Sequence, residues 1–173
     1  MGNSSSAKDG MGQNPSQVVQ GHLFVGNRLD GMAAKMGNPR KFTHILCVEE
    51  SSRYPNPESK IEFMLEPLKD DGSSDLEEFF DKVQDFLAEG VKTGRVLVHC
   101  TSGVNRGPTV AVLYLMKYWN YDLESAMRVV RRQRDGVNIH PDYIEQLTEL
   151  SEKWQNSQRR QSKTKRIPGG SPP

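Results

Sequence analysis

Two residues that can carry out chemistry, Cys100 and Arg106, lie six positions apart between an apolar run and a second apolar stretch. The β-branched run 96–98 predicts a short buried strand, and the residues from Pro108 onward predict a helix. A loop that passes directly from a strand into a helix directs several backbone N–H groups to one point, with the positive end of the helix dipole behind them. The segment therefore predicts an oxyanion-binding loop.

These two side chains at the ends of such a loop suit nucleophilic attack on a bound phosphate. Partial and full positive charges around Cys100 favour the thiolate over the thiol. The Arg106 guanidinium can hold two phosphate oxygens in parallel and keeps its charge at any working pH. Nucleophile and anion clamp would then share one loop.

The alternative for Cys100 is a buried structural thiol, the common fate of a single cysteine after a strand. Its spacing from Arg106 and the strand–loop–helix context favour the anion-binding loop. For Cys47 the preference is reversed, because it lies within another apolar strand-like segment. We expect Cys47 to be a core residue.

The segment His99-Cys100-Thr101-Ser102-Gly103-Val104-Asn105-Arg106 resembles the His-Cys-five-residues-Arg signature of the protein tyrosine phosphatase superfamily. The continuation Pro108-Thr109 and the short chain resemble its atypical dual-specificity phosphatases, and the resemblance covers roughly residues 21–150. It implies that His99 orders the loop by hydrogen bonding and does not act as a base. It also implies a phosphate-binding set of Thr101, Ser102, Gly103, Val104, Asn105 and Arg106.

A phosphate ester also needs a proton donor for its departing oxygen. The resemblance places this acid a few residues ahead of a predicted helix N-cap at Asp75, which matches Asp70, with Asp71 as the alternative. Against both stands the possibility that adjacent acids in a Gly/Ser loop are simply solvated. We expect Asp70 to be the general acid.

Together these residues imply two-step hydrolysis without a metal. Cys100 would attack phosphorus, Arg106 and the loop amides would hold the oxygens, and Asp70 would protonate the leaving group before water cleaves the phosphocysteine. His22, His44, His99 and His140 are scattered, and no His/Cys/Asp spacing suggests zinc. We expect no cofactor.

Two residues depart from the family pattern. The resembled family usually has Ser or Thr directly after the signature Arg, whereas this chain has Gly107, and Asn105 stands where dual-specificity members commonly have Ser. The family hydroxyl is thought to stabilise the thiolate as it leaves in the second step. We therefore predict slow breakdown of the phosphoenzyme.

The resemblance implies a phosphatase for phosphotyrosine and phosphoserine/phosphothreonine in proteins, with three alternatives. The Gly-x-Asn-Arg pattern also resembles RNA 5′-triphosphatases, although Asp70 and Pro108-Thr109 argue against them. A phosphoglucan phosphatase would be expected to carry a carbohydrate-binding module. The third alternative is a phosphoprotein-binding pseudophosphatase that uses the anion loop only for recognition, and the presence of Cys100, Arg106 and Asp70 together argues against it.

Alternating strands and helices predict an α/β fold, which the resemblance makes a single-domain cysteine-dependent phosphatase fold with a central mixed or parallel sheet of four to five strands flanked by helices. The predicted strands are 22–26, 44–49, 61–65 and 96–98, and 51–57 is a predicted loop. The predicted helices are 27–36, 75–90, 108–119, 122–130 and 141–154. Arg128, Arg131, Arg132 and Arg134 form either a solvated helix end or a substrate-facing basic patch.

At 173 residues the chain has room for one domain, predicted at 21–155, between a disordered segment 1–20 and a basic, Pro/Gly-rich disordered tail 156–173. The net charge of +1 gives no reason to expect nucleic acid as a partner. Two cysteines in separate strands form no disulfide framework, so a reducing compartment is expected, the cytoplasm first and the nucleus second. No apolar run is long enough to span a bilayer.

The N-terminal sequence Met1-Gly2-Asn3-Ser4-Ser5-Ser6 matches the pattern for N-myristoylation at Gly2. A plain disordered Ser/Gly tail is the alternative. A single acyl chain gives reversible membrane attachment, and the basic tail could add to it, serve as a nuclear address or have no function. Gly2 therefore predicts peripheral membrane contact beside the phosphoprotein substrate.

Overall fold

The computed structural model describes residues 14–51 and 60–164. Its strands are β1 (Ser16–Val19), β2 (Leu23–Gly26), β3 (His44–Cys47), β4 (Glu62–Leu65) and β5 (Val96–His99). Its helices are α1 (Arg28–Met36), α2 (Leu76–Thr93), α3 (Arg106–Tyr118), α4 (Leu123–Gln133) and α5 (Pro141–Thr164). This alternation forms a five-stranded sheet of order β1-β2-β5-β3-β4 flanked by helices, as the predicted α/β class requires.

The sheet is mixed, with β5 in its centre. β1 pairs antiparallel with β2, whereas β2, β5, β3 and β4 are parallel neighbours. The carboxyl ends of parallel strands meet at one edge of a sheet, where α/β proteins form their sites. Gly26, Cys47 and His99 are in register at that edge.

Side-chain acceptors fix where several helices begin. Asn27 and Asp30 form a reciprocal capping box at the start of α1. The side chains of Asp75 and Asp122 accept from Glu78 N and Ser125 N at the starts of α2 and α4. The predicted cap at Asp75 is therefore confirmed, and Asp122 caps the helix predicted to begin there.

Helix α3 is the central helix of the larger hydrophobic core. Every residue from Arg106 to Met116 is buried, and its apolar residues share one cluster with the inner faces of the sheet, α2, α4 and α5. It starts two residues earlier than the predicted 108, since Pro108 fits the first turn, where no intrahelical N–H bond is lost. The loop is thus anchored between two buried elements.

Both predicted disordered ends are too long. Ser16–Val19, within the predicted segment 1–20, is strand β1, and α5 continues to Thr164 into the predicted tail. β1 exists only through its pairing with β2, and α5 beyond 155 is a polar, mostly exposed extension of a packed helix. Helices α2 and α4 also end three residues beyond the predictions. Gly2, most of the predicted loop 51–57 and the tail beyond 164 lie outside the described residues.

Candidate active site

The loop that follows β5 surrounds the sulfur of Cys100 with backbone donors. Gly103 N and Gly107 N donate to Cys100 Sγ at 3.2 and 3.4 Å. Gly103 has a φ of +72°, and a Cβ there would lie 2.8 Å from Gly26 O, so only glycine suits this turn. Cys100 is 1% exposed, and its sulfur faces these amides at the start of α3. Two backbone N–H groups are therefore in place to stabilise negative charge that develops on this sulfur.

The Arg106 guanidinium closes the other side of the loop. Its Nη2 donates to Thr101 Oγ1 at 2.9 Å, and its Nη1 donates to Leu68 O at 3.3 Å. Its Nε lies 3.2 Å from Asp70 Oδ1. Arg106 is 6% exposed, so the charge that could hold an anion is already aligned by its own loop and by the loop before α2.

The two candidate acids occupy different positions. Asp70 contacts Arg106 and accepts from Asn105 Nδ2, with its side chain 64% exposed toward the mouth of the loop. Asp71 accepts from Ser73 N, and the Ser73 hydrogen bonds lower the pKa of its carboxyl. The structure brings Asp70, but not Asp71, against the Cys100 loop.

The remaining residues of the predicted phosphate-binding set differ in exposure and in hydrogen bonding. Thr101 and Ser102 are exposed at the mouth of the loop, and Val104 is half-buried. Val104 O accepts from Asn138 N at 2.8 Å, which ties the loop to the segment before α5. The Asn105 side chain is buried and bonded to Asp70 and to His140 N.

His99 is fully buried beneath the loop. Burial lowers the pKa of its imidazole to about 4, so the ring is neutral at physiological pH. Its Nδ1 lies 3.7 Å from Glu49 Oε1, and the ring also interacts with the Cys100 backbone. This position suits a residue that orders the loop.

Glu49 and Arg28 are residues of the site that the sequence analysis missed. Glu49 is 4% exposed and accepts from Arg28 Nε at 3.0 Å and from Thr101 Oγ1 at 3.2 Å. Burial opposes ionisation of Glu49, but the hydrogen bond and charge of Arg28 outweigh it and lower its pKa. Arg28 N also donates to Thr101 O. The available signal was position, because Arg28 and Glu49 closely follow β2 and β3 at the edge where Cys100 follows β5.

Arg134 is neither solvated nor on a substrate-facing patch, so both interpretations of this arginine are wrong. It is 2% exposed, and it donates to Gly103 O at 2.6 Å, Val25 O at 3.2 Å and Ser16 Oγ at 3.2 Å. Burial lowers the pKa of its guanidinium. Arg128, Arg131 and Arg132 are exposed, and Arg128 pairs with Glu124. Arg134 therefore supports the Cys100 loop from behind.

Cys47 is a buried core residue, as predicted. Burial raises the pKa of its thiol to about 11. Its sulfur and ligand atoms of Glu49 and His99 lie within 4.8 Å of one another, a set that could in principle hold a metal ion. Arg28 already neutralises Glu49, and a protonated thiol is a poor ligand, so the chemistry of this group favours an ion-pair network.

Comparison with known proteins identifies the family. The model of the dual specificity phosphatase catalytic domain matches residues 23–153. The chain belongs to the dual specificity phosphatases, and it is accordingly a protein phosphatase of that class. It is 34% identical over 152 residues to dual specificity protein phosphatase 22 of Mus musculus, covering 87% of this chain and 80% of the relative. It is 30% identical to dual specificity protein phosphatase 1B of Arabidopsis thaliana, covering 84% and 87%.

Solved structures confirm the fold. The crystal structure of DUSP15 superposes with a TM-score of 0.74 at 24% identity, and the match covers 91% of this chain and 100% of the DUSP15 chain. Human DUSP28 gives a TM-score of 0.73 at 23% identity, covering 83% and 96%. Within the described residues, none of the helices combines the length and hydropathy needed to cross a membrane.

Proposed function

We propose that this phosphatase hydrolyses phosphotyrosine and phosphoserine/phosphothreonine in proteins through a phosphocysteine intermediate. The observation that carries the proposal is a loop in which two amides donate to Cys100 Sγ and whose last residue, Arg106, lies 3.2 Å from Asp70. Nucleophile, anion clamp and acid then act on one phosphate. No cofactor takes part in the proposed steps.

In the first step the Cys100 thiolate attacks phosphorus, forming an S–P bond as the ester P–O bond breaks. The Arg106 guanidinium and the loop amides stabilise the charge on the non-bridging oxygens. Asp70 gives its proton to the departing oxygen, which leaves as the alcohol of tyrosine, serine or threonine.

In the second step water attacks phosphorus and the S–P bond breaks. The Asp70 carboxylate accepts the proton of the water, inorganic phosphate leaves, and the thiolate is restored. The amides of Gly103 and Gly107, which already donate to Sγ, stabilise the charge that returns to it.

Acceptance of both substrate types is supported by the open mouth of the loop. Thr101, Ser102 and the Asp70 side chain are all exposed there. Phosphoserine is shorter than phosphotyrosine. Both can bring phosphorus to Sγ only if the site is shallow.

A phosphopeptide assay of the wild type, Cys100→Ser and Asp70→Asn tests this function. We expect no turnover for Cys100→Ser and a loss of about a hundredfold in kcat for Asp70→Asn. The matched control is Asp71→Asn, which should retain wild-type kcat. Equal losses in the two aspartate variants would contradict the assignment of Asp70, and turnover without Cys100 would contradict the covalent mechanism.

We further propose a cytoplasmic enzyme held peripherally at membranes by acylation of Gly2. The support is the sequence Met1-Gly2-Asn3-Ser4-Ser5-Ser6. Mass spectrometry of the chain produced in eukaryotic cells should show the myristoyl group, and Gly2→Ala should abolish it together with membrane sedimentation. An unmodified wild-type N-terminus would contradict the proposal.

A further inference from the structure

The Asn105 side chain is directed away from the anion-binding amides and toward the acid. Its Nδ2 donates to Asp70 O and to Asp70 Oδ1, both at 3.0 Å. Its Oδ1 accepts from His140 N at 2.8 Å. Asn105 is 8% exposed. Its buried amide therefore joins three segments: the Cys100 loop, the loop before α2 that carries Asp70 (the acid loop), and the segment before α5.

Helix capping does not account for this asparagine. Asn105 stands at the N-cap of α3, where an asparagine side chain ordinarily accepts from a backbone N–H two or three residues later. Here it makes no capping hydrogen bond, and the residue three positions on is Pro108, which has no N–H. The two polar atoms of the side chain serve Asp70 and His140 instead.

We propose that Asn105 is a positioning residue for Asp70, which selects the oxygen that carries the catalytic proton. The proposal rests on the proposed role of Asp70 as the general acid. Oδ1 accepts from the Asn105 amide and lies 3.2 Å from the positively charged Arg106 guanidinium at Nε, so a proton on that oxygen would face one donor and a positive charge. The proton therefore resides on Oδ2, from which it passes to the leaving oxygen.

Other contacts hold the backbone of the acid loop. Arg106 Nη1 donates to Leu68 O, and the Tyr143 hydroxyl donates to Lys69 O. A change at Asn105 therefore removes the hydrogen bond to the Asp70 carboxyl group. The carbonyls of Leu68 and Lys69 keep their hydrogen bonds to Arg106 and Tyr143. The expected defect is specific to proton donation and is not a collapse of the loop.

Serine at this position cannot reproduce both contacts. It is shorter than asparagine and has a single hydroxyl, so it cannot donate to Asp70 and accept from His140 N across the same span. Asn105→Asp keeps the shape and the acceptor for His140 N but replaces the donor by a carboxylate. These two variants remove the same hydrogen bond in different ways.

The test compares leaving groups, because an acidic phenol departs without help and a weakly acidic one needs the proton. We would measure kcat/KM, which reports the steps up to departure of the leaving group, for p-nitrophenyl phosphate and phenyl phosphate. The proteins compared are the wild type, Asn105→Ser, Asn105→Asp, Asp70→Asn and the control Asn138→Ser, an exposed asparagine nearby. Both Asn105 variants should lose about tenfold or more on phenyl phosphate relative to p-nitrophenyl phosphate. In the Asp70→Asn background, Asn105→Ser should add no further leaving-group dependence.

The outcomes separate this inference from the function on which it rests. If Asp70→Asn shows the leaving-group dependence but both Asn105 variants lose activity equally on the two esters, the positioning role is overturned and the general acid stands. If Asp70→Asn shows no such dependence, the general acid assignment itself fails. Circular dichroism and tungstate binding identify any variant that has lost its fold, and the remaining Asn105 variant then decides.

Discussion

Gly107 leaves space beside the catalytic sulfur. A Cβ at this position would lie 3.7 Å from Cys100 Sγ and 3.1 Å from Val25 Cγ1. The first distance is ordinary van der Waals contact, and the second requires Val25 to move by a few tenths of an ångström. A small hydroxyl-bearing side chain would therefore reach the sulfur at little steric cost.

We expect Gly107→Ser to accelerate breakdown of the phosphoenzyme. A hydroxyl that donates to the sulfur stabilises the departing thiolate, and a hydrogen bond to a charged group corresponds to about tenfold in rate. Rapid-quench kinetics should show a burst followed by slow turnover in the wild type and a smaller burst with faster turnover in the variant.

Gly107→Ala separates the hydroxyl from the added volume. It fills the same space without a donor, so its steady-state rate should not exceed that of the wild type. Equal rates of phosphoenzyme breakdown in wild type and Gly107→Ser would contradict the prediction.

At the level of elements, Arg134 joins parts of the chain that lie far apart in sequence. From the residue after α4 it reaches the carbonyls of Val25 in β2 and Gly103 in the Cys100 loop, and the hydroxyl of Ser16 in β1. One buried guanidinium therefore connects the end of α4, the strand pair β1–β2 and the Cys100 loop. Loss of that group leaves buried carbonyls without donors.

We expect Arg134→Leu to lower the free energy of unfolding by about 3 kcal/mol, because buried acceptors lose their partners. Catalytic efficiency should fall as well, because the Cys100 loop loses the contact that holds Gly103 and its N–H is then less well fixed toward the sulfur. Urea unfolding and phosphatase assays measure the two effects. The exposed neighbour Arg132→Leu serves as the control and should change unfolding by less than about 0.5 kcal/mol.

The elements with local signals were predicted correctly from the sequence. The strand and the helix that flank the Cys100 loop lie within one continuous segment, and the capped helices carry their own start signals. Strand β1 has no such signal, because its four residues become a strand only through pairing across the turn at Gly21, which has a φ of +78°. The end of α5 was missed because its polar composition resembles that of a disordered tail.

The supporting residues of the site could not be predicted for a related reason. Thr101 meets Glu49 across 52 positions and Arg28 across 73, and Arg134 meets Gly103 across 31. The Thr101 contacts with Glu49 and Arg28 exist because β5 lies between β2 and β3. The strand order, which periodicity does not reveal, determines them.

For the molecule as a whole, His99 couples stability to pH. Burial lowers the pKa of its imidazole from 6.5 to about 4. The unfolded chain binds a proton near the higher value, whereas the folded chain binds one only near the lower, so acidification through this window favours unfolding. The lowered pKa of Glu49 acts in the same direction at pH values below its ordinary 4.5.

We expect His99 to remove about 1.4 kcal/mol of unfolding free energy for each unit by which pH falls from about 6.5 towards about 4. Urea unfolding across this range measures the slope, and His99→Gln should flatten it. The exposed His22→Gln variant is the control for replacing an imidazole by an amide elsewhere on the chain. Parallel pH dependences in wild type and His99→Gln would contradict the prediction.

Because β5 is the central strand, the segment before Cys100 should resist local unfolding more than the loop that carries Asp70. Its amides are shared between two parallel neighbours beneath the buried helix α3, so they should exchange with deuterium only when the whole chain unfolds. Lys69, Asp70 and Asp71 are exposed on a loop and should exchange through much smaller openings. Mild heat or denaturant should therefore detach the proton donor while the sulfur stays in place, leaving a molecule that still cleaves esters of acidic phenols but no longer those of alcohols.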